Sequence, residues 1–135
     1  MKFEKLLTSD KVYISKSGIF KAGRGVLARV DIAKGEIIER CPIIEVPKND
    51  VSILRESVLA TYFFYFGKGK KHLAIALGFG SIYNHSNKAN ATFEVKPKKM
   101  IIEFVAKENI KKDTEITFNY YGSKKTKKKP LWFEV

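Results

Sequence analysis

The sequence predicts a compact, mostly β domain of many short strands with one small helical insertion. Short apolar runs alternate with Gly, Asn, Asp and Pro turns along most of the chain, and only about residues 51–61 place apolar side chains at helical spacing. A chain of 135 residues can bury roughly two thirds of the surface that its unfolded form exposes. We therefore expect one domain over residues 1–135, with a core over about 12–122 and a basic segment with an aromatic tail over 123–135.

The first half of the chain predicts three strands and a helix. The strands are expected over residues 12–15, 26–30 and 36–45. Proline has no N–H to donate to a sheet, so Pro42 indicates that the third strand lies at an edge or contains a bulge. Asn49 or Asp50 can cap a helix over about residues 51–61, because the apolar side chains there recur on one face.

The second half predicts five strands and a segment with the character of a site. The strands are expected over residues 63–66, 72–77, 91–95, 100–105 and 115–119. Lys96–Lys99 is a basic turn between two of them, which predicts a hairpin. Residues 77–93 approach Asn84 and His85 through glycines and continue into a second Asn-rich turn. So many hydrogen-bonding groups between apolar runs indicate a functional segment.

Two segments of the chain share a pattern. Residues 28–34 and 106–112 both read Ala-basic-x-Asx-Ile-x-Lys, and each is followed by Glu-Ile and a strand. Asx side chains stabilise turns by bonding to nearby backbone groups, so the same turn chemistry could have been used twice. An older duplication predicts the same pattern, and the sequence leaves both explanations open.

The charge of the chain favours anionic partners. There are 26 Lys and Arg residues against 14 Asp and Glu, a net charge of +12, which attracts nucleic acid, anionic membrane or an acidic protein at long range. No apolar run is long enough to span a bilayer, and none follows the N-terminus as in a signal peptide. We therefore expect no membrane partner and a reducing cytoplasmic location, or a nuclear one in a eukaryote.

Several kinds of site are disfavoured. One cysteine and two histidines are too few soft ligands for a structural zinc site, and we expect no metal. Cys41 precedes a proline in an apolar strand, which favours an inert buried thiol. Residues 78–81 read Gly-Phe-Gly-Ser but lack the third glycine and the βαβ unit of a dinucleotide site. Taken alone, His85 fits a general base, a ligand or a hydrogen-bonded turn residue.

Four features that are far apart in the sequence give a clearer signal in combination. They are Gly23-Arg24-Gly25, Tyr83-Asn84-His85-Ser86 with Asn90, the run Glu115–Gly122, and the tail Pro130–Val135. With these motifs the chain resembles, over roughly residues 12–135, the SET-domain protein lysine methyltransferases in their smallest form. The resemblance implies a β-rich fold with a knot-like C-terminal crossing. It also implies methyl transfer from S-adenosylmethionine to a protein lysine, with S-adenosylhomocysteine as the product.

The resemblance assigns roles to individual residues. Tyr120 matches the catalytic tyrosine. The residues expected to bind the cofactor are Ala22, Gly23, Arg24, Tyr62, Asn84, His85 and Trp132. The expected walls of the lysine channel are Phe118, Tyr65 and Tyr83. The glycines beside Arg24 suit contact with the cofactor through the backbone.

The chain departs from the family pattern at three places. The usual Asn-His-Ser-Cys-x-Pro-Asn is here Asn-His-Ser-Asn-Lys-Ala-Asn over residues 84–90, and no cysteine-rich tail follows. The resemblance therefore implies that Trp132 and Phe133 close the site in place of a zinc-bound lid. Asn119 replaces a common Asp. Phe118 stands two residues before the tyrosine, where a phenylalanine implies transfer of more than one methyl.

The chemistry of methyl transfer to an amine suits this set of residues. An in-line displacement requires alignment of two reactants, exclusion of water and an uncharged lysine. A free lysine has a pKa of about 10.4, which aromatic walls and a nearby sulfonium charge would lower. A tyrosine hydroxyl can orient the amine, and neither an acid–base dyad nor a metal is needed.

Two other functions fit the same sequence. One is a small basic β module that binds nucleic acid, with exposed aromatic rings stacking on bases. The lysines that would contact phosphates are 68, 70, 71, 98, 99, 111, 112 and those of the run 124–129. The other is a SET-like fold that binds a lysine-bearing tail without catalysis. Among substrates of the methyltransferase, the charge favours a protein associated with nucleic acid, such as a nucleoid, chromatin or ribosomal component.

Overall fold

The computed structural model describes residues 5–67 and 72–120. Within these ranges nine strands form two sheets. The strands are β1 (Val12–Lys16), β2 (Arg24–Ala28), β3 (Ile37–Val46), β4 (Phe63–Phe66), β5 (His72–Ala76), β6 (Asn84–His85), β7 (Ala91–Lys96), β8 (Ile101–Ala106) and β9 (Glu115–Phe118). None of the helices in the described ranges is long and apolar enough to cross a membrane.

The two sheets share one main core. The first sheet has the order β1-β2-β9-β6 and the second the order β4-β5-β3-β8-β7. Neighbouring strands are antiparallel except β6 and β9, which run parallel. Strands of both sheets contribute buried apolar side chains, among them Val26, Phe64, Phe104 and Phe118. The mostly β fold class predicted from the sequence is confirmed.

A smaller cluster covers the other face of the second sheet. The short helix α1 (Val51–Arg55) buries Leu54 against Phe63 and Leu73. Successive strand residues point to opposite faces, so Phe63 faces α1 while Phe64 joins the main core. The helical insertion is thus held by a small apolar cluster of its own and leaves the main core to the sheets.

The predicted single helix is wrong beyond residue 55. The chain turns there and resumes as a 3₁₀ helix over Val58–Thr61. Ser57 explains the break: its backbone is extended at φ −106° and ψ 173°. Its Oγ donates to the Leu54 carbonyl at 2.6 Å and accepts from the Leu59 N–H at 3.1 Å. One serine side chain therefore bonds to the end of the first helix and caps the second.

The strand that contains Pro42 is central and not at an edge. It pairs with β8 as far as Pro42 and with β5 from Ile43 onward. The proline therefore lies where the strand changes partners, and its carbonyl accepts from the Leu77 N–H at 2.8 Å. The irregularity in the ladder lies earlier, between Ile37 and Glu39.

The two segments with the shared sequence pattern pair with each other. We call residues 28–36 the first turn segment and residues 106–114 the second turn segment. Ile32 N–H donates to the Ile110 carbonyl and Ile110 N–H donates back, both at 2.8 Å. The reciprocal side-chain bonds are Lys112 N to Asp31 Oδ1 and Lys34 N to Asn109 Oδ1, each 2.8 Å. Both segments also contain a positive φ at matching positions, Gly35 and Asp113.

The last described strand lies between β2 and β6. Asn90 holds it there from the side: its Nδ2 donates to the Glu115 carbonyl, and its Oδ1 accepts from the Thr117 N–H, both at 2.9 Å. This arrangement brings the Asn-His segment beside the strand that leads to Tyr120. The part of the predicted crossing that residues after 120 would form lies outside the described residues.

Candidate active site

Asn84 is fully buried where β2, β6 and β9 meet. Its Nδ2 donates to the Arg24 carbonyl and to Glu115 Oε2, both at 2.9 Å. Its Oδ1 is buried and has no hydrogen-bond partner among the described residues. A buried acceptor without a donor costs about 1–3 kcal/mol, so a donor from a bound molecule would be stabilising at this position.

Glu115 is a further polar residue at this junction, and the sequence motifs predicted no role for it. Besides the Asn84 amide, its half-buried carboxylate accepts from Ser17 Oγ at 2.7 and 2.9 Å and from the Gly18 N–H at 3.1 Å. A carboxylate among apolar strand residues is a signal that the sequence does contain. Its partners could not be read from the sequence, because two of them lie almost a hundred positions away.

The glycine-rich turn before β2 has two separate structural reasons. Gly23 has a positive φ of 81°, which a side chain would strain. Gly25 lies against Glu115, and an added Cβ would overlap the Glu115 carboxylate and lie 3.0 Å from Asn84 Nδ2. Ala22 is buried beside them, while Arg24 presents its carbonyl to Asn84 and its side chain to solvent.

His85 is buried and connects β6 to the end of β9. Its Nδ1 accepts from the Tyr120 N–H at 3.0 Å, so the ring proton is assigned to Nε2, which donates to Asn87 Oδ1 at 3.2 Å. The imidazole ring also packs edge-on against the Tyr120 ring, with centroids 5.2 Å apart. These contacts make His85 a residue that positions Tyr120.

The Tyr120 hydroxyl points toward Tyr83, the residue before β6. The O–H donates to the Tyr83 carbonyl at 2.7 Å. Burial, and after it the neighbouring Tyr62 and Glu115, raise the pKa of this hydroxyl well above its usual value. The tyrosine therefore stays protonated at physiological pH. Because its proton is given to a carbonyl, a ligand that bonds to this hydroxyl would have to donate to its oxygen.

A small aromatic pocket opens next to this hydroxyl. Its lining residues are Thr61, Tyr62, Phe63, Phe64, Gly80, Ser81, Tyr83, Phe118 and Tyr120. The Phe118 ring lies 5.0 Å from the Tyr120 ring and 5.8 Å from Phe64, measured between centroids. The structure thus brings Tyr62, Phe118 and Tyr120 together around one opening. Aromatic rings form most of the walls, and the side-chain polar groups of the lining are hydroxyls.

Tyr83 reaches the pocket from the core. Its ring stacks on Phe104 with centroids 4.5 Å apart, and its hydroxyl donates to Glu39 Oε1 at 2.7 Å. Burial, followed by the charge of Glu39, raises the pKa of the Tyr83 hydroxyl. The Tyr83 hydroxyl is therefore hydrogen-bonded inside the core, and the Tyr83 backbone carbonyl accepts the hydrogen bond from the Tyr120 hydroxyl.

One of the predicted site residues lies elsewhere in the described structure. Tyr65 packs with the cluster under α1, with its ring 5.7 Å from that of Phe63, and does not line the pocket. Tyr65 points to the same face of β4 as Phe63, opposite to Phe64, and it lies two residues further along the strand than Phe63, which does line the pocket. Trp132, like Phe133, lies outside the described residues. Residues 5–67 and 72–120 contain no group of three or more His, Cys, Asp or Glu side chains that could hold a metal.

Sequence comparison identifies relatives over most of the chain. Residues 23–121 match the sequence profile of the SET domain. A histone-lysine N-methyltransferase of Schizosaccharomyces pombe, specific for lysine 37 of histone H3, is 29% identical over 115 residues. That alignment covers 84% of this chain and 72% of the relative.

Solved structures with the same architecture include a crystal structure of a candidate histone methyltransferase from Plasmodium falciparum. It is 34% identical, with a TM-score of 0.64 over 87% of this chain and 97% of its own. The polycomb repressive complex 2 of Chaetomium thermophilum, bound to S-adenosylmethionine, has a TM-score of 0.70 at 19% identity. The match covers 84% of this chain and 15% of the polycomb chain, and at this identity it concerns the fold alone.

Proposed function

This chain belongs to the SET-domain family of protein-lysine N-methyltransferases, and we propose that it transfers methyl groups from S-adenosylmethionine to a lysine of a nucleic-acid-associated protein. The observation that carries the proposal is the pairing of β6 with β9. Asn84, whose Oδ1 is a buried acceptor without a partner among the described residues, lies on β6, and the adjacent β9 ends at Phe118, which lines the aromatic pocket together with Tyr120.

The residues present fit S-adenosylmethionine. The cofactor has an ammonium group, and Asn84 Oδ1 is a buried acceptor that needs a donor. We propose that Asn84, His85, Tyr62 and the backbone of 22–24 hold the cofactor, and that Trp132, which lies outside the described residues, contributes to its site. When bound, the cofactor supplies an electrophilic methyl group on a sulfonium.

The aromatic pocket suits the amine that receives the methyl. Phe64, Phe118 and the Tyr62 ring offer little solvation to an ammonium, so a lysine in this pocket would lose its proton more readily than in water. The Tyr120 hydroxyl donates to the Tyr83 carbonyl and can therefore accept an N–H of the amine. An amine held in this way presents its lone pair in a fixed direction.

The product also follows from the pocket wall. Phe118 is buried and carries no hydroxyl, so it holds no water beside Tyr120 that would block a second methyl. We propose that the enzyme transfers more than one methyl to its target. Mass spectrometry of the product tests this, and a strictly monomethylated lysine would contradict it.

The charge supports the choice of substrate. A net charge of +12 repels a free, strongly basic peptide and favours a target that is associated with a polyanion. The yeast relative acts on a histone, which is a protein of this kind. We propose that exposed lysines such as Lys98 and Lys112, with the run 124–129 outside the described residues, contribute electrostatic docking.

Labelling with the cofactor tests the function directly. The purified protein would be incubated with methyl-labelled S-adenosylmethionine and fractionated host lysate, and the labelled lysine would be mapped. We expect label on a protein of the nucleic-acid fraction, and at least tenfold less label with Tyr120→Phe at the same concentration and time. Cofactor binding without label on any protein would favour a non-catalytic lysine-tail binder. Absence of cofactor binding would favour the basic nucleic-acid module.

The docking role of the lysine run has its own test. Replacement of lysines 124, 125, 127, 128 and 129 by glutamine should reduce activity on the nucleic-acid-bound target and flatten its salt dependence, because fewer counterions are released. The rate on a short peptide should stay nearly unchanged. Cofactor affinity is measured on the same variant, since the run is near Trp132 in sequence. An unchanged salt slope on the bound target would contradict the docking role.

A further inference from the structure

We propose that Glu115 is a positioning residue for cofactor binding: it fixes the orientation of the Asn84 amide and so turns Asn84 Oδ1 toward the ligand. This inference rests on the proposed function, because it concerns the cofactor site of the same enzyme. It goes beyond that function in assigning a task to a carboxylate that need not touch the cofactor or the lysine.

The orientation of the Asn84 amide follows from its two neighbours. Both groups that Nδ2 contacts, the Arg24 carbonyl and Glu115 Oε2, are acceptors that carry no hydrogen. A flipped amide would place Oδ1 against these two oxygens and lose both bonds. The carboxylate therefore holds the NH₂ group inward and leaves Oδ1 as the atom without a partner.

The charge of Glu115 strengthens the same effect. A hydrogen bond to an ionised acceptor is shorter and roughly twice as strong as a neutral one. It also polarises the Asn84 amide, because bonds in a chain reinforce one another at low dielectric. Oδ1 thus becomes a better acceptor for a cationic donor, as in the ammonium group of the cofactor.

The fold itself does not require a carboxylate at this position. Glu115 pairs with Leu27, one residue before the first turn segment, and Ile37 pairs with Val105, one residue before the second turn segment. Ile37, which directly follows the first turn segment, is thus the counterpart of Glu115, which directly follows the second. The turn forms with an apolar residue at the position of Ile37. The negative charge of Glu115 is therefore not needed for the turn, and we assign it to the cofactor site.

The surroundings are shaped to admit the carboxylate. Gly25 has no side chain at the point where a Cβ would overlap Glu115 Oε2. Ser17 Oγ and the Gly18 N–H bind the two carboxylate oxygens from the other side. Glu115 is therefore held in one place, and this is a requirement for a group that orients another side chain.

A double-mutant cycle separates positioning from general support. Calorimetry would measure the Kd of S-adenosylhomocysteine for wild type, Glu115→Gln, Asn84→Ala and the double variant. A glutamine cannot accept from both the Gly18 N–H and Asn84 Nδ2 with its single oxygen. We expect Glu115→Gln to weaken binding about tenfold in the wild-type background and less than twofold in the Asn84→Ala background.

The matched control is Glu36→Gln in the first turn segment. Glu36 also accepts a backbone N–H of its own turn, that of Ala33 at 2.9 Å, and pairs with Lys11. Its replacement should leave the Kd within about twofold. If Glu115→Gln does not fold, Glu115→Ala replaces it, since alanine puts no amide donor against Gly18.

Each outcome has a definite meaning. A tenfold loss that persists in the Asn84→Ala background, or no loss in the wild-type background, overturns the positioning role. The same holds if neither Glu115 variant folds while Glu36→Gln does, because Glu115 would then be a structural residue. If wild type itself does not bind S-adenosylhomocysteine, the proposed cofactor site is wrong and not only the role of Glu115.

Discussion

The two turn segments have closely matched backbone bonds, and yet only the second leads into the candidate site. In each, a strand-ending alanine donates its N–H across to the other segment: Ala28 to Thr114 and Ala106 to Glu36, both at 2.9 Å. The strands that follow the two segments start in the same register against their partners. The turn chemistry therefore determines where a strand begins, and the side chains beyond it determine what that strand does.

The two strands that follow the turn segments, β3 and β9, take different neighbours after their first residue pairs. Strand β3 contains a bulge at Ile38 and continues along β8, so its later residues enter the main core. The ladder of β9 with β2 ends at Ile116, and β9 continues beside β6. A change of neighbour after two residues is what brings β9 to Asn84 and carries the chain to Tyr120.

Each of these strands carries a carboxylate with several donors. Glu39 of β3 is buried and accepts from the Tyr83 hydroxyl at 2.7 Å and from the Phe79 N–H at 2.9 Å. These two bonds hold the segment before β6 against the main core. Glu115 of β9 faces Asn84 instead. We therefore expect substitutions in the second half to affect binding and catalysis, and those in β3 to affect stability.

The largest effect is expected at Asn84. Asn84→Ala removes the buried acceptor and leaves Glu115 without one of its donors, so cofactor affinity should fall by about 2 kcal/mol, roughly thirty-fold. Calorimetry with S-adenosylhomocysteine measures this. Asn109→Ala is the control, because Asn109 bonds to the Lys34 N–H within the turn segments and its loss should leave the affinity unchanged. Equal affinities in folded Asn84→Ala and wild type would make this segment purely structural.

Tyr120→Phe should lower the methylation rate by at least an order of magnitude, about 1.4 kcal/mol in the barrier, and leave the fold and the cofactor affinity intact. The variant removes only the hydroxyl that donates to the Tyr83 carbonyl. Single-turnover rates with a saturating cofactor measure the effect. Tyr65→Phe removes a hydroxyl of the cluster under α1 and should keep the wild-type rate. A similar loss in both variants would refute the distinction between them.

The free energy of unfolding should fall at alkaline pH because Cys41 is buried in β3. Burial, with the nearby Glu39 charge, raises the pKa of this thiol far above its usual value. The unfolded thiol ionises near pH 8.5–9 and the folded one does not, so stability is full below that range and falls as pH rises. Wild type should lose about 1.4 kcal/mol more than Cys41→Ala between pH 8 and 10. Urea denaturation at each pH measures this, and an equal loss of unfolding free energy in the two proteins between pH 8 and 10 would contradict it.

The smallest expected effect is that of Glu39→Gln. One amide oxygen cannot accept from both the Tyr83 hydroxyl and the Phe79 N–H, so the free energy of unfolding should fall by about 1 kcal/mol. Urea denaturation measures this loss, and cofactor affinity should stay within about twofold. A large loss of affinity with unchanged stability would erase the contrast between the two carboxylates.

The sequence alone was sufficient for the class of fold and for the family. Alternating apolar runs and turn residues are local properties, so eight of the nine described strands, the β7–β8 hairpin and the mostly β class could be predicted. The two-residue strand β6 was not predicted, because it is too short to show an alternating pattern. The helical insertion was predicted too long, because Ser57 bonds to the backbone on both sides of a break. Pro42 was expected to put its strand at an edge or to mark a bulge. The strand is central, its bulge lies at Ile38, and Pro42 lies where the strand changes partners, which no local pattern reports.

The motifs around Asn84 and Tyr120 determined the family and the predicted site. The tertiary structure decided which atoms face which: the amide of Asn84 turned by Glu115, the hydroxyl of Tyr120 given to the Tyr83 carbonyl, and Tyr65 directed to the opposite face of the sheet. The physical reason is the distance along the chain. Propensity and periodicity are encoded by neighbours in the sequence, whereas the partners of a buried polar group come from strands that only the completed fold brings together.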